Sequence, residues 1–234
     1  MKTRHALILG VSFAVGTFLL GIFFYSARVR DDTISVVGAA TERLESDVVK
    51  WRITLSRSVE PEVLSNGYRQ VHDDLELVTT MLARKGIKPD EITVQPASVR
   101  QRHNRDGNLI GYEINQGVFV ISSDIDAVEN LALNPAEMTD KGVIIQASKL
   151  EYLYSKLDEM KLQMLAAATE NARRRAEEIT ANSGASLGKV KSLRAGVFQI
   201  REPYSTEVSS YGLYSTQTRQ KDITVTTHAT FRIN

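Results

Sequence analysis

Hydrophobic positions along the chain follow three rhythms, and each predicts a different element. Ala6 to Tyr25 is an unbroken apolar run, ALILGVSFAVGTFLLGIFFY. At 1.5 Å per residue its 20 residues make about 30 Å of helix, the thickness of a hydrocarbon core. This run predicts a transmembrane helix over about 6–25. Val49, Trp51, Ile53 and Leu55 then alternate with Lys50, Arg52, Thr54 and Ser56, the period of a half-buried strand. Leu64, Tyr68, Val71, Leu75, Val78 and Leu82 recur every three or four residues, one apolar stripe on a helix that Pro61 opens and Gly86 closes.

The same reading assigns a brief strand to Ile34–Gly38 and two strands to 91–101 and 111–121, joined by the polar turn His103 to Asn108. Pro96 cannot donate to a ladder, so the first of these two belongs at an edge or a bulge. A short helix near Ala127–Leu133 stops before Pro135, and Val143–Tyr154 is a further strand. The longest soluble helix is predicted over Ser155–Ser183. Its narrow stripe is Leu157, Met160, Met164, Ala168, Ala172, Ala176 and Ile179, and Gly184 ends it. Strands at about 187–200 and 222–233 close the chain. The fold class is α+β: an N-terminal transmembrane helix, then antiparallel or mixed strands packed with two long amphipathic helices. Residues 1–30 form the membrane anchor and flank, and 31–234 form a single extracytoplasmic domain.

A cleaved signal peptide is the rival for the first segment. Its apolar region would be shorter, and Tyr25-Ser26-Ala27 puts a bulky ring where a cleavage site wants a small residue. An uncleaved anchor fits better. Lys2 and Arg4 precede the span and Arg28 and Arg30 follow it, so the flanking charges are nearly balanced and do not orient it.

Charge and composition then narrow the chemistry. The net charge is +1, but 25 of the 29 basic residues lie beyond position 30, with all 28 acidic ones. The body is slightly acidic and offers nucleic acid no concentrated basic surface. Absence of cysteine excludes disulfides, thiolate metal sites and a cysteine nucleophile. His5, His72, His103 and His228 show no metal-ligand spacing, and there is no H-E-x-x-H, G-x-S-x-G, Walker or G-x-G-x-x-G motif. No catalytic, metal or cofactor-binding residue is assigned. Asp73, Asp74 and Glu76 read as a solvated helix face. Arg173, Arg174 and Arg175 read as partners of Glu170, Glu177 and Glu178 at helical spacing, with an anionic-lipid contact as the alternative. The tract at about 201–221 is rich in Tyr, Ser and Thr. A connection of that length is either disordered or a contact surface, and Tyr204, Tyr211 and Tyr214 are its candidate interaction residues.

Several blocks stand in a set order: Ile34-Ser-Val-Val-Gly38, Asp47 opening a strand, and Lys85-Gly-Ile-Lys-Pro-Asp-Glu-Ile92. Gly111-Tyr112 leads the strand Val118–Ile121, and Ser123-Asp-Ile-Asp126 begins a short helix. The fullest block is Ala166–Val190 with its alanine-spaced helix, and Ile223–Thr226 closes the domain. In this order the blocks resemble the SIMPL-domain family, which includes bacterial periplasmic immunogenic and oxidative-stress-defence proteins. The resemblance implies an α+β fold, an envelope location and, in some members, ring- or channel-like homo-oligomers; it implies no established catalytic residues. It also favours a cytoplasmic N-terminus, hence a single-pass bacterial inner-membrane protein with its C-terminal domain in the periplasm. The full-length anchor departs from members that carry a cleavable signal.

Three functions follow as expectations. The first is a non-enzymatic membrane-anchored envelope protein that self-associates, structural or stress-protective. The second is a periplasmic binding or sensing module that recognises a ligand or envelope protein partner through the Tyr-rich loop. The third is an envelope hydrolase whose residues converge only in three dimensions.

Overall fold

Alternation becomes pairing in the strand that begins at Val48. A computed structural model describes residues 2–28 and 32–234; the side chains of 2–4, 6–9 and 26–28 lie outside that description. In chain order the elements are α1 (Lys2–Arg28), β1 (Thr33–Glu45), β2 (Val48–Val59), α2 (Leu64–Arg84), β3 (Ile92–Val94), β4 (Ser98–His103), β5 (Leu109–Ser122) and α3 (Ile125–Leu133). They continue with α4 (Ala136–Thr139), β6 (Ile145–Leu153), α5 (Leu157–Ser183), β7 (Leu187–Ala195), β8 (Gln199–Arg201), β9 (Leu213–Tyr214) and β10 (Gln220–Ile233). The strands form two five-stranded sheets, one ordered β1-β10-β8-β9 with β7 also on β10, the other β3-β5-β2-β6 with β4 also on β5. The mixed α+β class is as expected: β8–β9 is a parallel pair, and pairings such as β2–β5 and β7–β10 are antiparallel.

Among the described residues no helix is long and apolar enough to cross a membrane. The span expected at about 6–25 opens on residues 6–9, whose side chains lie outside the described residues. From Gly10 to Tyr25 the described side chains are all exposed, Phe13 at 76% and Phe23 at 78%.

Two compact units divide the chain. The first comprises 1–39, 167–196 and 226–234, and the second 40–166 and 197–225.

In the second unit, Val49, Trp51, Ile53 and Leu55 are fully buried, as their period requires, and form a core with Val78, Leu82, Val118, Val120, Val128 and Leu131. Helices α2 and α3 cover that side of the sheet. Trp51 Nε1 donates to Ser148 Oγ at 2.9 Å, satisfying the one polar atom of a buried indole. Asp124 caps α3 by accepting from Ala127 N at 3.0 Å. Pro96 sits between β3 and β4, both paired to β5 in registers one residue apart, the expected bulge at a sheet edge. The segment expected as one strand, 91–101, is therefore two. Gly86 has φ +90 just after α2, the left-handed turn that ends it.

In the first unit, α5 packs its small residues on the sheet: Ala172 and Ala176 meet Val36, Ala229 and Phe231. The buried stripe of the whole helix runs Met164, Ala168, Ala172, Ala176 and then Thr180, whereas Ile179 is 53% exposed. Four-residue steps carry the face to Thr180, whose hydroxyl turns back onto Ala176 O at 2.9 Å, which corrects the expectation for Ile179. The strand expected at Ile34–Gly38 extends to Glu45, and the one expected at 187–200 breaks at Gly196.

Among the described residues β1 has a sheet neighbour, β10, on one side only. Ile233 N donates to Asp32 O at 3.0 Å, and the Ser35 and Thr230 hydroxyls meet at 2.9 Å. That register turns the backbone groups of Thr33, Ser35, Val37 and Ala39 away from β10. Two α5 side chains one turn apart take up groups on this outer side. Ala39 N donates to Asn171 Oδ1 at 3.1 Å, and Arg175 Nη1 donates to Val37 O at 3.0 Å.

Candidate functional site

The Tyr-rich tract is an ordered part of the second unit, which corrects the disordered alternative. Gln199 on β8 clamps it with both ends of its amide: Nε2 donates to Ser209 O at 2.7 Å, and Ser209 N donates to Oε1 at 3.2 Å. Gly212, at φ +89, makes the turn that sets β9 beside β8 in the same direction. Leu213 N then donates to Phe198 O at 3.1 Å and Ser215 N to Ile200 O at 2.9 Å. Tyr152 N of β6 donates to Thr216 O at 2.8 Å, pinning the end of the tract.

This fold brings two of the three candidate tyrosines together. Tyr211 and Tyr214 border a groove of about 440 Å³ with Leu157, Lys161, Phe198, Ile200 and Leu213. Its size falls in the range of small-ligand or side-chain pockets, and its walls mix apolar and polar surface. Tyr211 is 96% exposed, while Tyr214 is 41% exposed and its hydroxyl accepts from Tyr154 N at 3.4 Å. Lys161 is the one charged side chain on the rim.

Tyr204 does not line this groove. Its backbone takes φ +65, its N–H donates to Asp222 Oδ2 at 3.4 Å, and its ring lies 4.7 Å from the Arg43 guanidinium carbon. Arg43 grips Asp222 with two bonds of 2.8 and 3.0 Å, and this holds the Asp222 carboxyl below its usual range. Tyr204 belongs to a surface cation–π cluster with Arg43 and Asp222.

Two residues carry charge into buried positions, the first passed over by the sequence reading and the second misplaced by it. Lys221 is fully buried on the inner face of β10. Its Nζ donates to Thr218 O at 2.5 Å, and burial pushes its pKa down to about 8 against the pull of Glu202. Glu202 itself is held low by the Ser215 hydroxyl. Lys221 stands in phase with Ile223 and Val225, and that alternation was the signal for it. Between about 8 and 10.5 the folded amine has lost its proton while the unfolded one keeps it, so stability rises with pH in that window, by up to about 3 kcal/mol. Chemical denaturation at about pH 7.5 and 9.5 checks this. Lys221→Met is expected to remove the rise and to be the more stable chain at the lower pH; an unchanged slope would refute it.

Asp74 is the second: it is buried and paired with Arg57, whereas the sequence placed it on a solvated face. Arg173 does pair with Glu177, at 2.9 Å, as its spacing suggested. His72 lies 3.5 Å from Glu76 on the surface, and His228 is exposed on the polar face of β10. Among the described residues no three His, Asp or Glu side chains gather to hold a metal.

Comparison with known proteins adds a family and distant relatives. The family model SIMPL, described as a protein of unknown function (DUF541), matches residues 34–232. An interleukin-1 receptor-associated kinase 1-binding protein 1 homolog of Xenopus laevis is 25% identical over 74% of this chain and 65% of its own length. The Mus musculus protein of that name is 24% identical over 67% and 57%, and the Homo sapiens one 22% identical over 89% and 78%. The chain thus spans less than two thirds of the frog and mouse proteins.

Proposed function

This chain belongs to the SIMPL family, and we propose that it is a membrane-tethered, non-enzymatic protein-binding module that holds its partner at the Tyr211–Tyr214 groove. The observation that carries the reading is an aromatic ring standing in water on a fixed backbone, beside a groove. Gln199, Gly212 and the β8–β9 pairing fix the backbone around Tyr211, yet its ring is 96% exposed. A rigid tyrosine gives large amphipathic area at small entropy cost, and such side chains are concentrated at protein interfaces. The relatives are named for binding a kinase, which supports a protein partner as the class of ligand. The lining, with Lys161 as its only charge, speaks for contact rather than hydrolysis.

The tether is the Ala6–Tyr25 run on α1, and the body lies on the periplasmic side of a bacterial inner membrane. A second reading keeps the same surface and makes the partner another copy of the chain, giving a self-associating envelope protein with a structural or stress-protective role.

Placing a photocrosslinking residue at Tyr211 in the membrane-bound full chain, and at Asp106 in the distant β4–β5 turn, tests both. A discrete adduct from position 211 alone is expected, and Tyr214→Ala should weaken its formation about tenfold. An adduct of twice the chain mass selects self-association; another mass selects a separate partner. Equal labelling from both positions would end the proposal.

A further inference from the structure

Charge in the first unit is sorted by face. Its sheet stretches, 33–39, 187–195 and 226–233, contain Lys189, Lys191, Arg194, His228 and Arg232 and no Asp or Glu. Pairing shows where these residues stand. Val36, Ala229 and Phe231 point toward α5, so the residues alternating with them form the opposite, helix-free face. Ser35 and Thr230 join side chains there, Thr230 is opposite Ser192, and His228 is opposite Arg194. Ser35, Ser192, Arg194, His228 and Arg232 are all exposed. Glu170, Glu177 and Glu178 all lie on α5, where Arg173, Arg174 and Arg175 balance them. By sequence the first unit has 11 Lys and Arg against 5 Asp and Glu; four of the 11 flank the apolar run of α1, three are on α5 and four are on the sheet stretches. A sheet face with cations and no carboxylate favours a polyanionic surface.

The polyanion within reach is a bilayer. Only residues 29–32 separate α1 from β1, and four residues span at most about 14 Å. We infer that the helix-free face of the first unit lies against anionic lipid headgroups of the membrane that holds α1. The inference rests on the tether proposed above. Each Lys or Arg near such a surface contributes attraction that fades within a Debye length, about 8 Å at physiological salt. A short link keeps the face inside that range, so a modest number of charges suffices.

The absence of native cysteine allows single-site labelling. A fluorophore is placed at Ser192→Cys, or at Asp106→Cys in the second unit, in the full chain reconstituted into nanodiscs. The discs contain either zwitterionic phosphatidylcholine or about 30% phosphatidylglycerol, and carry headgroup-attached quencher. Quenching at 192 is expected to be several-fold stronger in the anionic discs, to fall toward the zwitterionic level in about 0.5 M salt, and to exceed that at 106. Arg194→Glu should reduce the apposed population roughly fivefold or more, and the salt titration of the parent chain stands independently of that variant's folding. Equal, salt-insensitive quenching in both discs overturns the inference while leaving the tether intact. A chain that fails to co-elute with either disc overturns the tether first, and the inference with it.

Discussion

Replacing Gly38 by alanine is expected to cost about 3 kcal/mol or more, although it adds a single methyl group. A Cβ at 38 would lie 2.2 Å from Ala168 O, 2.4 Å from Ala172 N and 2.7 Å from Ala172 Cβ. The first two are backbone atoms of α5, so no side-chain rotation relieves the clash and the helix must lift from the strand. Lifting it uncovers Val36, Ala172, Ala176, Ala229 and Phe231 together, beyond the usual cost of an overpacked site. Gly107 supplies the control. It has φ +82, and nothing lies within 4 Å of where its methyl group would stand, so Gly107→Ala should cost only the conformational term, about 1 kcal/mol. Urea unfolding of the full chain in detergent compares the two. Similar midpoints would mean that the strand–helix approach is softer than its geometry states.

Arg57→Ala carries the next largest effect, about 3–5 kcal/mol. Arg57 donates to both Asp74 oxygens at 2.6 Å and to Gly142 O at 2.6 Å, and the Asp74 side chain is 7% exposed. Removing the guanidinium strands a carboxylate between α2 and β2. Asp74→Leu should be milder, because the Arg57 side chain is 22% exposed and can turn its charge to water. The double change Arg57→Met with Asp74→Leu replaces a buried pair by apolar volume and is expected to recover most of the loss. Unfolding of the parent, Arg57→Met, Asp74→Leu and the double change as a double-mutant cycle reads the coupling, and simple addition of the two single costs would contradict the pairing.

These two sites mark how far the sequence could be read. β2, β10 and α2 were legible because each repeats one environment many times, and Pro96 and Gly86 because each restricts the backbone by itself. Gly38 was visible only as part of a family resemblance; its cause, contact with residues about 130 positions later, is outside any local period. Asp74 looked solvated because its partner Arg57 is on another element. Ile179 was misplaced because three- and four-residue steps are equally good helical neighbours until a sheet selects one. Within the candidate site, the tyrosines could be picked out by composition. The Gln199 clamp, and the gathering of Tyr211, Phe198 and Leu157 around one groove, follow no rhythm along the chain.

The two α5 side chains on the outer side of β1 also bear on what this protein does not become. A strand with bare hydrogen-bonding groups is a template on which further strands can add, and growth of that kind has no built-in end. Asn171 and Arg175 occupy two groups of that template, Ala39 N and Val37 O, with side chains of the same molecule that offer no new edge beyond themselves. Contacts through this part of the chain are thereby left to side chains, which match at particular places and close at finite numbers. In a crowded compartment, one helical turn of polar residues stands between a countable particle and a fibre.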